Sequence, residues 1–422
     1  MNVCPFSSDG PDEDKLATDC GLVGDYVPRL GFVFSAFAGF VREGGHRQHG
    51  SSGGLTTWLL EELLTLGHID GVVHVREANS GGGSDVLFHY EISRSPEEIR
   101  KGAKSRYYPV EMSTVLREVR NRPGRYALVG LPCFIKAARR LSAVDPLLKS
   151  RIAFYVGIFC GHLKSSRFAE AYALECGIYP HEILSVDFRQ KNAARSAPDY
   201  DVLVSAMRDG KPLVALKPNR ECFSSNWGQG FFKLKACDFC DDVVAETADI
   251  SFGDAWLPEY STDWQGTNVV LVRNLAIHEV MQRAFESGHI FLEDLTPGRV
   301  VQSQAGAFRH RGDGLAYRLH LADQAGQWRP VKRVSASANH ISRRARQVYA
   351  MRMVLASESH RAFQKAAQAA NFQCFRDTMQ PLVDAYESAV RRPLPLRLAG
   401  RMKRLLLAAK NLFHSRTNAK RV

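Results

Sequence analysis

Apolar positions along this chain follow two periods. Residues 30–40, 69–75 and 86–92 are short apolar or alternating runs, which predicts strands. Leu55, Leu59, Leu60, Leu63 and Leu64 recur at helical spacing. Ser95-Pro-Glu-Glu opens a further helix by its capping residues. From Tyr126 the pattern sharpens. Residues 126–130 and 152–159 read as buried strands, each followed by a tight turn and a helix, over 135–141 and 166–176. Strand, helix, strand, helix predicts a parallel βαβ unit. Residues 183–189 predict a strand, 200–216 a hairpin about Arg208-Asp-Gly, 249–252 and 268–272 two strands, and 276–288 a helix. Residues 1–29 are acidic and aperiodic and read as loop, and 79–84 as a Gly-rich loop. Beyond Val300 glycines and arginines dominate to about Arg333, and a mainly helical tail follows. The expected fold is α/β with a mixed sheet and a C-terminal helical region. The expected organisation is an N-terminal loop segment 1–29, a core in two parts at 30–125 and 126–300, and a basic helical tail at 301–422.

Cysteine spacing changes this picture most. Cys237 and Cys240 form a Cys-x-x-Cys pair, which is half of a metal or cluster site. In parallel α/β sheets ligands lie beyond the carboxyl ends of the strands. Cys133, in the turn after 126–130, and Cys160, after 152–159, both fall there and are expected side by side. Cys133, Cys160, Cys237 and Cys240 therefore qualify as one four-thiol site for a [4Fe–4S] cluster, a [2Fe–2S] cluster or structural zinc. Common zinc sites use two close-set pairs, and here there is one, so the spread favours iron–sulfur. Cys20, Cys176, Cys222 and Cys374 read as small buried hydrophobes.

Two other stretches carry polar chemistry. Ser51-Ser-Gly-Gly54 precedes the leucine-rich helix, where free backbone amides suit a phosphate, although a plain capping turn explains the residues as well. Gly102-Ala-Lys-Ser-Arg-Tyr-Tyr108 is a basic, hydroxyl-rich, aromatic turn. His162, beside Cys160, is a candidate proton donor with a structural role as its alternative. Asp254, after Gly253, either holds a ribose hydroxyl or caps a turn.

Formal net charge is +12, which suits anionic partners. No nucleic-acid motif accompanies it, and the aromatic residues follow core periodicity, so nucleic acid is not an expected partner. The first residues lack the basic and apolar regions of a signal peptide, and no uninterrupted apolar stretch reaches membrane-spanning length. The expected location is the cytoplasm. Residues 394–413 place Leu398, Met402, Leu405, Ala409 and Leu412 on one face of a basic amphipathic helix. That helix docks on its own protein or makes a peripheral contact with the inner face of the membrane.

Five segments, in order, carry a family resemblance: Ser51–Thr56, Gly102–Tyr107, Gly130-Leu-Pro-Cys-Phe-Ile135, Gly157-Ile-Phe-Cys-Gly161, and Lys235-Ala-Cys-Asp-Phe-Cys through Ala248-Asp-Ile-Ser-Phe-Gly-Asp-Ala-Trp256. The sequence resembles the β subunit of coenzyme F-420-reducing hydrogenase and its dehydrogenase relatives over about residues 30–300. The resemblance implies an iron–sulfur flavoprotein oxidoreductase whose cluster thiols map onto the four cysteines chosen above. It implies FAD over Ser51, Ser52, Gly53, Gly54 and Thr56, with Lys104, Ser105, Tyr107, Gly253 and Asp254 completing the site. Coenzyme F-420, a small molecule or a glycan-linked substrate of surface-polysaccharide synthesis would be the organic partner. Many relatives carry an N-terminal ferredoxin-like run of cysteines; Cys4-Pro5 is all that resembles it, so an external electron donor or ferredoxin-like protein is expected. The alternative from another class is a non-catalytic, zinc- or cluster-stapled partner of glycan-synthesis enzymes.

Overall fold

The computed structural model describes residues 3–78 and 86–391. Its strands, in chain order, are β1 (Asp25–Val27), β2 (Gly31–Val33), β3 (Ser35–Val41), β4 (Gly71–Glu77), β5 (Phe88–Ser93), β6 (Tyr126–Gly130), β7 (Ile152–Ile158), β8 (Ile183–Gln190), β9 (Asp201–Arg208), β10 (Lys211–Pro218), β11 (Ile250–Asp254), β12 (Asn268–Val272) and β13 (Ile290–Asp294). Eight of them form one mixed sheet in the order β13-β3-β12-β11-β7-β6-β4-β5. The four central strands β11, β7, β6 and β4 are parallel, and antiparallel strands flank them on both sides. The fold is thus α/β with a mixed sheet, and the sheet draws strands from both expected parts of the core.

Side chains of adjacent residues in a strand point to opposite faces, and each face here has its own core. Val72, Ala127, Val156 and Val270 pack against Leu55, Leu59, Leu60 and Leu63 of the helix Leu55–Thr65. Their neighbours Val73, Leu128 and Tyr155 pack against Ile135 and Ala138 of the helix Pro132–Val144. Both faces are covered, which is why β6, β7 and β12 read as continuous apolar runs.

A third core centres on a smaller sheet and meets the large one at Phe88 of β5. Strands β10-β9-β8 form a three-stranded antiparallel sheet. Its Val186, Phe188, Val202 and Val204 meet Phe168 of the helix Arg167–Glu175, and Phe363 and Phe375 of the helices Arg343–Gln368 and Phe372–Val390. Phe231 and Phe232, just before the Cys-x-x-Cys loop, join this cluster. The C-terminal helices therefore wall the segment that carries two of the four thiols.

The structure corrects several expectations. The supposed N-terminal loop contains a helix, Glu13–Asp19, whose start Asp12 caps by accepting from the Lys15 N–H. Leu16 and Ala17 are its apolar anchors, too few to register as a period. The stretch from 300 to about 333, read as dominated by glycine and arginine, is itself helical at Pro297–Ser303, Ala305–Arg311 and Asp313–Gln324. Arg311 and Arg318 are buried there, so a pattern that scores arginine as surface misreads the stretch. Of the cysteines expected as buried hydrophobes, Cys222 is buried, Cys20 and Cys176 are half-buried, and Cys374 is exposed. The loop expected at 79–84 and the basic helix expected at 394–413 lie outside the described residues. Among the described residues no helix is long and apolar enough to cross a membrane.

Candidate functional site

The parallel register brings two thiols to one end of the sheet. Gly130 of β6 pairs with Gly157 of β7, and Cys133 and Cys160 each lie three residues further on. Cys133 sits in the first turn of the helix Pro132–Val144. Cys160 is held where its N–H donates to the Val243 carbonyl at 2.9 Å, which ties it to the segment following Cys240. Cys237 and Cys240 flank the end of a 3-10 turn, Lys235–Phe239. The Leu163 N–H donates to Cys237 Sγ at 3.3 Å, which joins that turn to the Cys160 loop. Three separate chain segments thus deliver the four cysteines to one place.

The thiols act on one another. Burial raises Cys133 well above the ordinary thiol value, and the charges of Cys240, Cys160 and Cys237 raise it further. Burial pushes Cys160 up to about 12 and Cys240 up to about 11. Burial thus favours the protonated form of Cys133, Cys160 and Cys240; a coordinated metal removes such protons.

Buried cations surround the site. Lys164, Lys233, Arg311, Arg318 and Arg352 are all buried, and the buried carboxylate among them is Asp238. Lys233 pairs with Asp238, and Arg318 donates from Nε to the Asp238 carbonyl at 2.8 Å. Lys164 has a backbone acceptor, the Phe231 carbonyl at 2.6 Å, and its ammonium lies 4.6 Å from the Phe168 ring centre and 4.7 Å from that of Trp227. Asp241 and Asp242, on the far side of Cys240, have their own partners in Lys332 and in the N–H groups of Val244 and Glu246. Several buried donors and acceptors remain unpartnered: Arg311 Nε and Nη1, His162 Nε2 and His310 Nδ1. Unpaired buried polar groups are costly and rare. Four thiols, surplus positive charge and idle donors fit an anionic, thiolate-bound cluster.

The other predicted residues gather at a second place. The Ser105 N–H donates to Ser51 Oγ at 2.8 Å, and Ser52 Oγ donates to the Thr267 carbonyl at 2.9 Å. Lys104 pairs with Asp187 at 3.0 Å and reaches the Arg189 carbonyl at 3.2 Å. Arg189 donates to Asp254 at 2.8 Å. Lys191 Nζ donates to the carbonyls of Arg47, Ser52 and Gln265. Thr56 is half-buried in the first turn of the helix Leu55–Thr65. Gly54 caps that helix in the left-handed region, φ 82°. At Gly53 the space a Cβ would take is already filled, within 2.6 Å by the Gly39 carbonyl and 2.9 Å by the Asn268 nitrogen. Gly253 is likewise closed in, its missing Cβ replaced by the Phe159 ring.

An aromatic bridge joins the two places. Tyr107 packs edge-on against Trp227 with ring centres 4.9 Å apart, and Trp227 meets His162 at 4.6 Å. His162 is buried, and burial beside Lys164 and Arg352 holds its imidazole well below the usual range. Its ring packs on Trp227, in keeping with the structural role given as the alternative to proton donor. Sequence reasoning missed Arg189, Lys191, Lys164, Trp227 and Arg311. Arg189 and Lys191 left one signal, two cations at alternate positions closing β8. Arg311 left none, because its helix has no readable period.

Two family models match the chain. Residues 36–117 match the N-terminal part of the coenzyme F-420 hydrogenase/dehydrogenase beta subunit, and residues 124–298 match its C-terminal part. A coenzyme F-420-dependent sulfite reductase of Methanocaldococcus jannaschii is 25% identical over 228 residues, 50% of this chain and 32% of that protein. A subunit of the F(420)H(2) dehydrogenase of Methanosarcina mazei is 23% identical over 261 residues, 62% of this chain and 66% of that protein. The matches thus span about a third and just under two thirds of these relatives. A chain of the F-420-reducing [NiFe] hydrogenase complex from Methanosarcina barkeri shares the fold, with a TM-score of 0.54, 18% identity, and coverage of 74% of this chain and 99% of that one. Matched in both parts and in chain order, this chain belongs to the oxidoreductase family of coenzyme F-420 hydrogenase/dehydrogenase beta subunits.

Proposed function

We propose that the chain holds a [4Fe–4S] cluster on Cys133, Cys160, Cys237 and Cys240 and an FAD beside the Ser51–Lys104–Asp254 network. It would work as an oxidoreductase between an external one-electron protein donor and an organic partner. That partner is a small or glycan-linked molecule, with coenzyme F-420, carried in the relatives' names, as the alternative. One observation supports the reading: Cys133, Cys160, Cys237 and Cys240 act electrostatically on one another and on Arg311, a buried guanidinium with two idle nitrogens. Among the described residues no group of three or more His, Cys, Asp or Glu is placed to hold a metal ion, and metal analysis separates a cluster from a zinc staple.

When bound, a cluster of this kind supplies single electrons, and a flavin supplies the means of pairing them for organic chemistry. The chain's own part is to bind and orient. The sulfurs are the ligands, and the Leu163 N–H bonds one of them. Trp227, Phe231 and Phe232 keep water from the loop. Lys104, Arg189 and Lys191 bring positive charge to the flavin side, and Tyr107 supplies an aromatic wall.

Metal analysis of the anaerobically purified protein tests the reading, together with single Ser substitutions. We expect about four irons and matching sulfide per chain. Cys133→Ser, Cys160→Ser, Cys237→Ser and Cys240→Ser should each lower iron by half or more, and Cys374→Ser should not. About one zinc per chain, or iron indifferent to all four changes, defeats it.

A further inference from the structure

Arg311 ends the short helix Ala305–Arg311, beyond both stretches that match the family models. It is buried, and one nitrogen pins the Cys160 loop: Nη2 donates to the carbonyls of Cys160 at 2.8 Å and of Gly161 at 3.0 Å. Nε and Nη1 have no partner. Its positive charge acts on Cys133, Cys160, Cys237 and Cys240 alike. Asp242, a carboxylate that also acts on Arg311, commits its oxygens to the N–H groups of Val244 and Glu246. A fully buried guanidinium with two idle nitrogens is unstable unless an anion sits opposite it. The groups that act most strongly on it are the thiols of Cys240, Cys160 and Cys237, ahead of Asp242.

We propose that Arg311 is the fixed counter-charge of the group bound by the four cysteines and sets that group's reduction potential from outside the matched part of the chain. The inference rests on the cluster reading above. A fixed cation stabilises the more negative, reduced state, so it raises the potential; hydrogen bonds from a guanidinium to cluster or cysteine sulfur act in the same sense. Each reduction takes one electron from an external titrant, and no protein group gains or loses one. Arg311 is a positioning residue in this scheme: it holds the Cys160 loop by its carbonyls and the bound charge by its free face.

The test compares the parent with Arg311→Gln and Arg311→Lys, each purified anaerobically, by iron and sulfide content, circular dichroism and a dye-mediated redox titration. Arg311→Gln should keep its iron and be at least tenfold harder to reduce, which is about 59 mV for one electron. Arg311→Lys should stay near the parent. Retained iron with an unchanged potential in Arg311→Gln overturns the inference and leaves the cluster reading standing. Should Arg311→Gln lose its iron, the Lys variant decides: iron kept near the parent potential supports the charge role, and loss in both variants overturns it. A parent that takes up no iron or sulfide on anaerobic reconstitution defeats the cluster reading itself, and the inference with it.

Discussion

The two polar places in this molecule are finished to different degrees. Around Ser51, Ser52, Lys104 and Lys191 most polar groups are paired, Lys104 and Arg189 with carboxylates, and the idle buried nitrogens are Arg189 Nε and, in the adjoining turn, Arg106 Nε and Nη1. Around the four thiols, four buried nitrogens on Arg311, His162 and His310 are idle, and Arg311 is the cation that acts on the thiols. A guest at the thiol site would complete its surroundings. A guest at the other would lie over cations already paired with carboxylates, with idle nitrogens left on Arg106 and Arg189. The thiol site therefore identifies its ligand class by charge and donor type, and the hydroxyl site constrains its ligand mainly by shape. Both stand out in the sequence by the same kind of cue, small and polar residues at turns, and what separates them is the four thiols of the one and the carboxylate-paired cations of the other.

Four experiments would break or sharpen this contrast. The largest effect belongs to Cys160→Ser, which should remove at least half of the bound iron; Ser51→Ala should leave iron content unchanged. Equal losses from both would erase the distinction. Next comes Gly53→Ala. Its Cβ meets backbone atoms of Gly39 and Asn268, so overpacking should lower stability by about 1–3 kcal/mol in urea denaturation. A neutral result would mean that the turn has room for a ligand there. Ser51→Ala removes one acceptor from the Ser105 N–H and should cost about 1 kcal/mol by the same measurement.

The smallest effect concerns pH. His46 Nε2 lies 3.0 Å from Glu61, which Arg100 also grips. The hydrogen bond to Glu61 raises His46, with burial opposing. Burial works to raise Glu61, but its bonds to His46 and Arg100 win and lower it. A raised His pKa stabilises fully below its ordinary 6.5 and ceases to do so as pH climbs through the folded value. The lowered Glu61 stabilises above its ordinary 4.5 and loses this as pH falls through its folded value. Stability should therefore decline from pH 6.5 upward, and His46→Gln should flatten that slope. An unaltered slope in a series of thermal melts would place the titration elsewhere.

Much of the sheet is legible in the sequence, because β6, β7, β12 and the β9–β10 hairpin are bounded by turns and carry one clear period each. The pairing of Cys133 with Cys160 is legible for the same reason: parallel neighbours bring their following turns together. The helix Glu13–Asp19 is not, since its few buried side chains make no period. Arg311, Arg318 and Lys164 are not, because a sequence gives no sign that a cation is buried until the packing around it is known. Gly53 reads as an open amide when its cause is close backbone approach, and glycine looks the same in either role.

The facing glycines of β6 and β7 also bear on inheritance. Cys133 and Cys160 stand at equal distance from a matched pair, and β7 cannot slide, because a Cβ on Gly157 would fall 2.4 Å from that of Ala245. The number of residues in each turn is therefore information in its own right. One codon gained in either turn would change neither composition nor hydrophobic pattern, yet it would shift one sulfur along the chain by up to about 3.3 Å relative to the other. Lineages of this protein should tolerate many spelling changes there and almost no change of length, whereas the β9–β10 hairpin, whose tip Asp209-Gly210 is exposed, can lengthen freely. A gap in either cysteine turn, found when related genes are compared, would mark a descendant that has abandoned the site while keeping the fold.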